Sequence, residues 1–298
     1  MIYLILSILS SVGLYLVFKL IAVHKIPLLP VILVNYGVCV LLGSLVLGPN
    51  LLNISGVLHT FSLHYFGLLG LLFVLIFVLM GKTTAHFGIA VTSVATKMAL
   101  VIPALFFFFT DDASPQWMFW PGLLLSILGL FLLVYSQDQN HPHLKRPYWI
   151  PIWVWMGSGL IDTLLKISET QLSGLPKKEI WLSVVIFLGA LLSGLLYWIF
   201  LSNKTSKDWS KQVFKYGVLL GIPNFGSIGF LLLAMSSDFL KPSLLFPINN
   251  LGIVLMSIWV SRLAFYVYRP IGIEDFSTRK RWGMLLALCA LALLSFSN

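Results

Sequence analysis

Charge is scarce in this chain. Only 10% of its 298 residues are Asp, Glu, Lys or Arg, whereas about 25% is usual for a soluble domain. Hydrophobic residues make up 59%. A chain of this composition cannot cover itself with the charged surface that a soluble domain presents to water. The composition therefore excludes the soluble classes and indicates an integral membrane protein whose main partner is the lipid bilayer.

Cysteine is also scarce, and the nucleotide-binding loop is missing. Cys39 and Cys289 both lie inside apolar runs, so no disulfide framework and no cysteine metal site is indicated. No G-x-x-x-x-G-K-[ST] motif occurs, so ATP is not expected to bind. The formal charge of +9 comes mainly from basic residues in short loops. Basic residues in such loops set the membrane topology, so nucleic acid is not indicated as a partner. We expect no cofactor, no metal and no catalytic residues, and therefore not an enzyme.

Long hydrophobic runs, by contrast, fill the chain. A membrane-spanning helix needs roughly 20 largely apolar residues. Ten segments qualify, at residues 2–22, 28–48, 64–81, 85–109, 116–136, 149–171, 180–201, 213–235, 241–264 and 280–296. Because lipid offers no hydrogen bonds, all ten are expected to be α-helices. The sequence predicts an all-α integral membrane protein.

The basic residues predict an orientation. Most of them follow the odd-numbered spans, namely Lys25, Lys82, Lys145, Arg146, Lys204, Lys207, Lys211, Arg269, Arg279, Lys280 and Arg281. The opposite side holds little beyond Lys177, Lys178 and Lys241. Since basic loops stay in the cytoplasm, both termini are expected outside it.

The ten spans read as two related halves, residues 1–138 and 139–298. Short matches occur in the same order in both halves: 11–19 with 158–166, 65–70 with 215–221, and 120–133 with 281–294. Because each half has five spans, the second must insert upside down relative to the first. Inverted repeats place a substrate site near mid-membrane between the halves. The pattern is typical of a transporter.

Small-residue stretches that end in a lysine occur in the first and sixth spans, at residues 10–19 and 157–166. The fourth span contains AVTSVATKMALVIPALFFFF, the ninth contains PSLLFPINNLGIVLMSIWVS, and Gly122 and Gly283 lead the closing spans. In these features the chain resembles the ten-helix EamA-like family of the drug/metabolite transporter superfamily. The resemblance implies two inverted five-helix repeats, with spans 1, 3, 4, 6, 8 and 9 around a central cavity and spans 5 and 10 outside. It also implies cytoplasmic termini, opposite to the loop charges, and a bacterial inner membrane.

Lys97 is the first candidate site residue because it lies near the middle of the fourth span. A charge at mid-bilayer costs about 2.5–3.5 kcal/mol, so it should face a cavity or the protein interior. There it can bind an anionic group or act as a gate. The alternative is a structural lysine paired internally with Asp162.

Asp162 and Lys166 lie four residues apart on the sixth span, so they share one helix face. An ordinary ion pair explains them. The alternative is that Asp162 exchanges between Lys166, Lys97 and a proton, and so couples transport to a gradient.

Amide, tyrosine and proline side chains complete the candidate set. Interhelical packing is the competing interpretation for the asparagines. The expected substrate-binding residues are Lys97, Asn249, Asn250, Tyr15, Asn224 and Asn35, and the expected helix breaks are Pro103, Pro223 and Pro247.

These residues predict a secondary transporter, an exporter or exchanger of an anionic or zwitterionic metabolite such as an amino acid or organic acid. A monomer is expected because both halves are in one chain. The alternatives are an intramembrane enzyme on a lipid-linked substrate, an exporter of cationic drugs, and a channel or accessory protein.

Overall fold

The computed structural model describes residues 1–53, 63–110, 117–135, 147–171, 177–201, 209–235, 242–267 and 277–296. Within these ranges all regular structure is helical. A short 3-10 helix covers Gly48–Asn53. The α-helices are α1 (Ile2–Val23), α2 (Leu28–Leu47), α3 (Leu63–Phe87), α4 (Ile89–Met98), α5 (Val101–Thr110), α6 (Phe119–Val134), α7 (Trp149–Gln171), α8 (Lys178–Leu201), α9 (Lys211–Met235), α10 (Pro242–Val267) and α11 (Thr278–Phe296).

The helices follow the predicted spans closely at most ends. Among the described residues, six helical segments are long and apolar enough to cross a membrane, namely Ile2–Val23, Leu28–Asn50, Gly67–Phe87, Ile89–Phe109, Ile180–Phe200 and Lys211–Ala234. Shorter apolar segments cover Phe119–Val134 in α6, Trp149–Leu165 in α7 and Ile248–Leu263 in α10. The protein is therefore membrane-embedded. The boundary expected between residues 138 and 139 lies outside the described residues.

The junction between the third and fourth spans differs from the expectation. Helix α3 continues to Phe87, so Lys82 lies within a helix and not in a loop. Gly88 alone separates α3 from α4, with φ at 93°, a conformation that favours glycine. Across this turn the Thr84 hydroxyl donates to Thr92 Oγ1 at 3.0 Å. The two helices are therefore joined by a single residue, without a longer connecting loop.

Helix breaks are expected at Pro103, Pro223 and Pro247. In the described part of the chain, only the span that contains Pro103 is interrupted, at Ala99 and Leu100. Helix α9 runs through Pro223, and α10 spans position 247 without interruption. The expectation of breaks at Pro223 and Pro247 is therefore wrong. A proline removes one backbone hydrogen bond, and packing against neighbouring helices keeps the remaining turns helical.

Glycine lets several helices cross at close range. A Cβ on Gly70 of α3 would lie 2.4 Å from the carbonyl carbon of Gly189 on α8. A Cβ on Gly129 of α6 would lie 2.9 Å from the backbone nitrogen of Ala287 on α11. Close backbone contact of this kind drives helix association in lipid, where the hydrophobic effect does not. These crossings hold the bundle around a central cavity.

Candidate functional site

A cavity of about 180 Å³ lies between helices near the middle of their length. Its lining comes from α1, α3, α4, α7, α9 and α10, which belong to spans 1, 3, 4, 6, 8 and 9. These are the six spans that the resemblance implies. The lining residues are Ser11, Leu14, Tyr15, Phe73, Ile76, Phe77, Met80, Thr96, Lys97, Ser158, Ile161, Asp162, Asn224, Ser227 and Asn250.

Two opposite charges face this cavity. Lys97 comes from α4 and Asp162 from α7, and each acts electrostatically on the other. Lys97 is half-buried, whereas the Asp162 side chain is accessible from the cavity. In the described part of the chain no ion pair within 4.0 Å joins them. Among the described residues, therefore, these two charges do not satisfy each other through a direct ion pair.

The position of Lys97 follows from the break in the fourth span. Helix α4 ends at Met98, so Lys97 lies in its last turn. The carbonyl end of a helix carries partial negative charge, which stabilises a cation by about 0.3–1 kcal/mol or more where it is partly buried. The break thus creates, at mid-membrane, a helix end that suits an ammonium group.

Tyr15 joins the first span to the fourth. Its hydroxyl oxygen lies 2.6 Å from Thr96 Oγ1. The Thr96 hydroxyl donates to the backbone carbonyls of Thr92 and Ser93, both at 3.0 Å. Because a hydroxyl has one proton to give, Tyr15 is the donor in its bond to Thr96. The lone pairs of the Tyr15 oxygen remain available to accept from a bound molecule.

Asn224 connects the cavity to a buried polar cluster on α2. Its Nδ2 donates to Asn35 Oδ1 at 3.1 Å and to Cys39 Sγ at 3.4 Å. Asn35 is fully buried and does not line the cavity among the described residues. Asn35 therefore orients Asn224, while Asn224 is the residue that a bound molecule can contact.

The two adjacent asparagines of α10 differ. Asn250 lines the cavity, whereas Asn249 is 3% exposed and its Oδ1 has no hydrogen-bond partner in the described part of the chain. Successive residues on a helix point about 100° apart, and of these two only Asn250 is among the described residues that line the cavity. Asn250 is the site residue of the pair.

The remaining wall is apolar and rigid. Phe73 and Phe77 lie one helical turn apart on α3 and face the cavity. The rings of Phe18 and Tyr36 pack against the ring of Phe77, with distances between ring centroids of 5.6 and 5.5 Å. Aromatic pairs at such distances add to the stability of apolar packing. The cavity lining therefore combines two charged side chains with aromatic side chains that are packed from behind.

The structure brings most of the predicted site residues together. Lys97, Tyr15, Asn224, Asn250 and Asp162 all line the cavity. Asn35 and Asn249 do not line it, and the side chain of Lys166 lies outside the described part.

Sequence reasoning missed Thr96, Phe73 and Phe77 as site residues. The two phenylalanines have the i, i+4 spacing of any core-facing helix, so no signal in the sequence separates them from ordinary packing. Thr96 is adjacent to Lys97, but its contact with Tyr15 requires the fold.

Comparison with known proteins identifies relatives but no function. No protein-family model matches the chain. An uncharacterised protein of Haemophilus influenzae is 26% identical over 269 residues, which cover 88% of this chain and 89% of that protein. The crystal structure of another protein aligns with a TM-score of 0.50 and 14% identity, over 98% of this chain and 99% of the other. That likeness concerns the fold alone.

Proposed function

We propose that the chain is a secondary transporter of the EamA-like family in the drug/metabolite transporter superfamily. It moves a small anionic or zwitterionic metabolite, such as an amino acid or organic acid, across a bacterial cytoplasmic membrane. The direction is export or exchange, and the mechanism is alternating access. The observation that carries the proposal is the mid-span cavity with Lys97 and Asp162 on different halves of the chain.

The chemistry of the cavity supports a zwitterionic or anionic substrate. Lys97 can bind a carboxylate through a charge-assisted hydrogen bond, and Asp162 can accept from an ammonium group. Tyr15, Ser158, Ser227 and Asn250 supply neutral hydrogen-bonding groups around the two charges. Phe73 and Phe77 supply an apolar surface for the remainder of the molecule. A permanent cation without a carboxylate would leave Lys97 unpaired beside it.

The packing of the helices supports two inverted halves. If each span is exchanged for the one five spans away, the contact of α1 with α9 becomes that of α7 with α3. In the same way α2 with α9 becomes α8 with α3, and α1 with α10 becomes α7 with α4. The pairs α2 with α8 and α6 with α11 map onto themselves. This is the pattern that a twofold axis in the membrane plane produces.

The placement of the charges supports alternating access. Lys97 lies on the first half and Asp162 on the second, so rocking of one half against the other changes the distance between them. A zwitterion that bridges both charges is bound by both halves at once. Its binding energy can favour the intermediate conformation between the state in which the cavity opens to one side of the membrane and the state in which it opens to the other.

Transport in reconstituted vesicles tests this proposal. Purified protein is incorporated into liposomes loaded with unlabelled amino acids or organic acids, and entry of the labelled compound is followed. We expect exchange of at least one carboxylate compound, abolished by Lys97→Ala. Exchange confined to cationic drugs, or no exchange of any carboxylate compound, would overturn the proposal.

A further inference from the structure

The broken fourth span contains a backbone group whose helical partner has been lost. Pro103 has no N–H, so the Ala99 carbonyl cannot accept from position 103. The N–H of Ile102 donates to Ala99 O instead, at 2.9 Å. In an unbroken helix that N–H would bind Met98 O, four residues earlier. The Met98 carbonyl is therefore left without its backbone donor inside the membrane.

A tryptophan side chain supplies the missing donor. The indole Nε1 of Trp155 on α7 donates to the Met98 carbonyl oxygen at 3.1 Å. An unpaired backbone carbonyl in a lipid-surrounded bundle is costly, so this bond has more effect here than at a wet surface. Met98 directly follows Lys97, so the bond fixes the helix end that carries the lysine.

One face of α7 holds the whole junction. Trp155, Gly159 and Asp162 have the spacing i, i+4 and i+7, which places them on one side of a helix. A Cβ on Gly159 would lie 2.8 Å from the Ala99 carbonyl oxygen and 2.5 Å from Ile102 Cβ. Glycine at this position lets α7 approach the break directly, with Asp162 further along the same face.

We propose that Trp155 is a positioning residue for the cation site. Its indole N–H replaces the backbone donor that is lost at the break, and it thereby holds the end of α4, and Lys97 with it, opposite Asp162. Trp155 is not among the described residues that line the cavity, so it acts through Met98. The role of Lys97 in binding the substrate rests on the proposed function. The replacement of the lost backbone donor by the Trp155 indole does not.

A double-mutant cycle tests the replacement without any substrate. Trp155→Phe keeps an aromatic ring and removes the donor, and we expect it to lower the melting temperature by about 2–4 °C. Pro103→Ala returns an N–H to position 103, so Ile102 can again bind Met98. In the Pro103→Ala background, Trp155→Phe should cost less than half as much. An equal cost in both backgrounds would overturn the proposal.

Trp153 on the same helix provides the matched control, because its side chain is 54% exposed and lies outside the cavity lining. Trp153→Phe should leave the melting temperature unchanged in both backgrounds. If it cost as much as Trp155→Phe, the effect would belong to loss of any tryptophan from α7.

The position of Lys97 is read by NMR of protein whose lysines carry ¹³C-methyl groups, with the Lys97 signal assigned through Lys97→Arg. We expect this signal to shift in Trp155→Phe, to return towards the original shift in Trp155→Phe/Pro103→Ala, and to be unmoved in Trp153→Phe. Loss of stability with an unmoved Lys97 signal would make Trp155 purely structural and overturn the positioning role. Neither readout requires transport, so a failure of the proposed function would be seen separately in the vesicle assay.

Discussion

The two halves of the chain contribute different chemistry to one cavity. The first half supplies a broken span, α4 and α5, with Lys97 at the break. In the second half, α10 is unbroken and supplies Asn250, while α7 supplies Asp162. A symmetric cavity would carry the same charges on both sides. The two halves of the chain therefore differ in charge at the site, which gives the cavity a cationic side and an anionic side.

The largest predicted effect comes from removing this difference in charge. Lys97→Met and Asp162→Asn should each lower transport roughly 100-fold, because each removes one of the two charged groups that we propose to bind the substrate. The double variant Lys97→Met/Asp162→Asn should recover thermal stability but not transport. If transport recovered together with stability, the two charges would be only a structural ion pair and would not bind the substrate.

The helix crossings allow the halves to be compared in stability. Gly70→Ala on α3 would place its Cβ against the backbone of Gly189 and should cost about 1–3 kcal/mol. Gly252→Ala on α10 meets the terminal Cδ1 of Ile8 at 2.5 Å, the far end of a side chain that can shift, and should cost less. Thermal unfolding in detergent measures both. Gly37→Ala, which meets nothing within 4 Å, is the control, and an equal loss in all three would refute the packing argument.

Tyr15 and Thr96 both line the cavity, and their hydroxyl groups share a hydrogen bond. Tyr15→Phe removes the bond to Thr96 and one acceptor in the cavity, and should weaken substrate binding by roughly 5-fold, the effect of about 1 kcal/mol. Thr96→Val should have a similar effect, and the double variant should be no worse than either single one. Independent, additive losses would show that the two hydroxyl groups do not act as a pair.

The smallest effect is expected in the second half, at Asn249. Its buried Oδ1 makes no hydrogen bond among the described residues, so Asn249→Leu should be nearly neutral in thermal unfolding. Asn250→Leu should instead weaken substrate binding, because Asn250 lines the cavity. The reverse order would mean that Asn249 is the binding residue of the pair.

The sequence predicts the fold better than it predicts the site. Spans of about 20 apolar residues and a mid-span Lys97 are strong signals because each unsatisfied polar group in lipid is costly. The helical register is a weaker signal in leucine-rich helices, which explains why Asn249 and Asn250 could not be separated. The role of Phe77 depends on which helices meet, and no local pattern encodes that.

The prolines show the same limit from another side. Pro103, Pro223 and Pro247 look alike in sequence, yet only the fourth span is interrupted in the described structure. At Pro103 a neighbouring N–H, that of Trp155, is placed to satisfy the displaced carbonyl. Whether a proline breaks a membrane helix therefore depends on tertiary partners that a linear reading does not reveal.

The most direct test of the account is a thermal-shift screen of the purified protein and of Lys97→Ala against amino acids, organic acids, nucleobases and cationic drugs. We predict that an amino acid or organic acid stabilises the wild type and fails to stabilise Lys97→Ala. Stabilisation that survives in Lys97→Ala, or that occurs with cationic compounds alone, would contradict the assignment of Lys97 as the substrate's cationic partner.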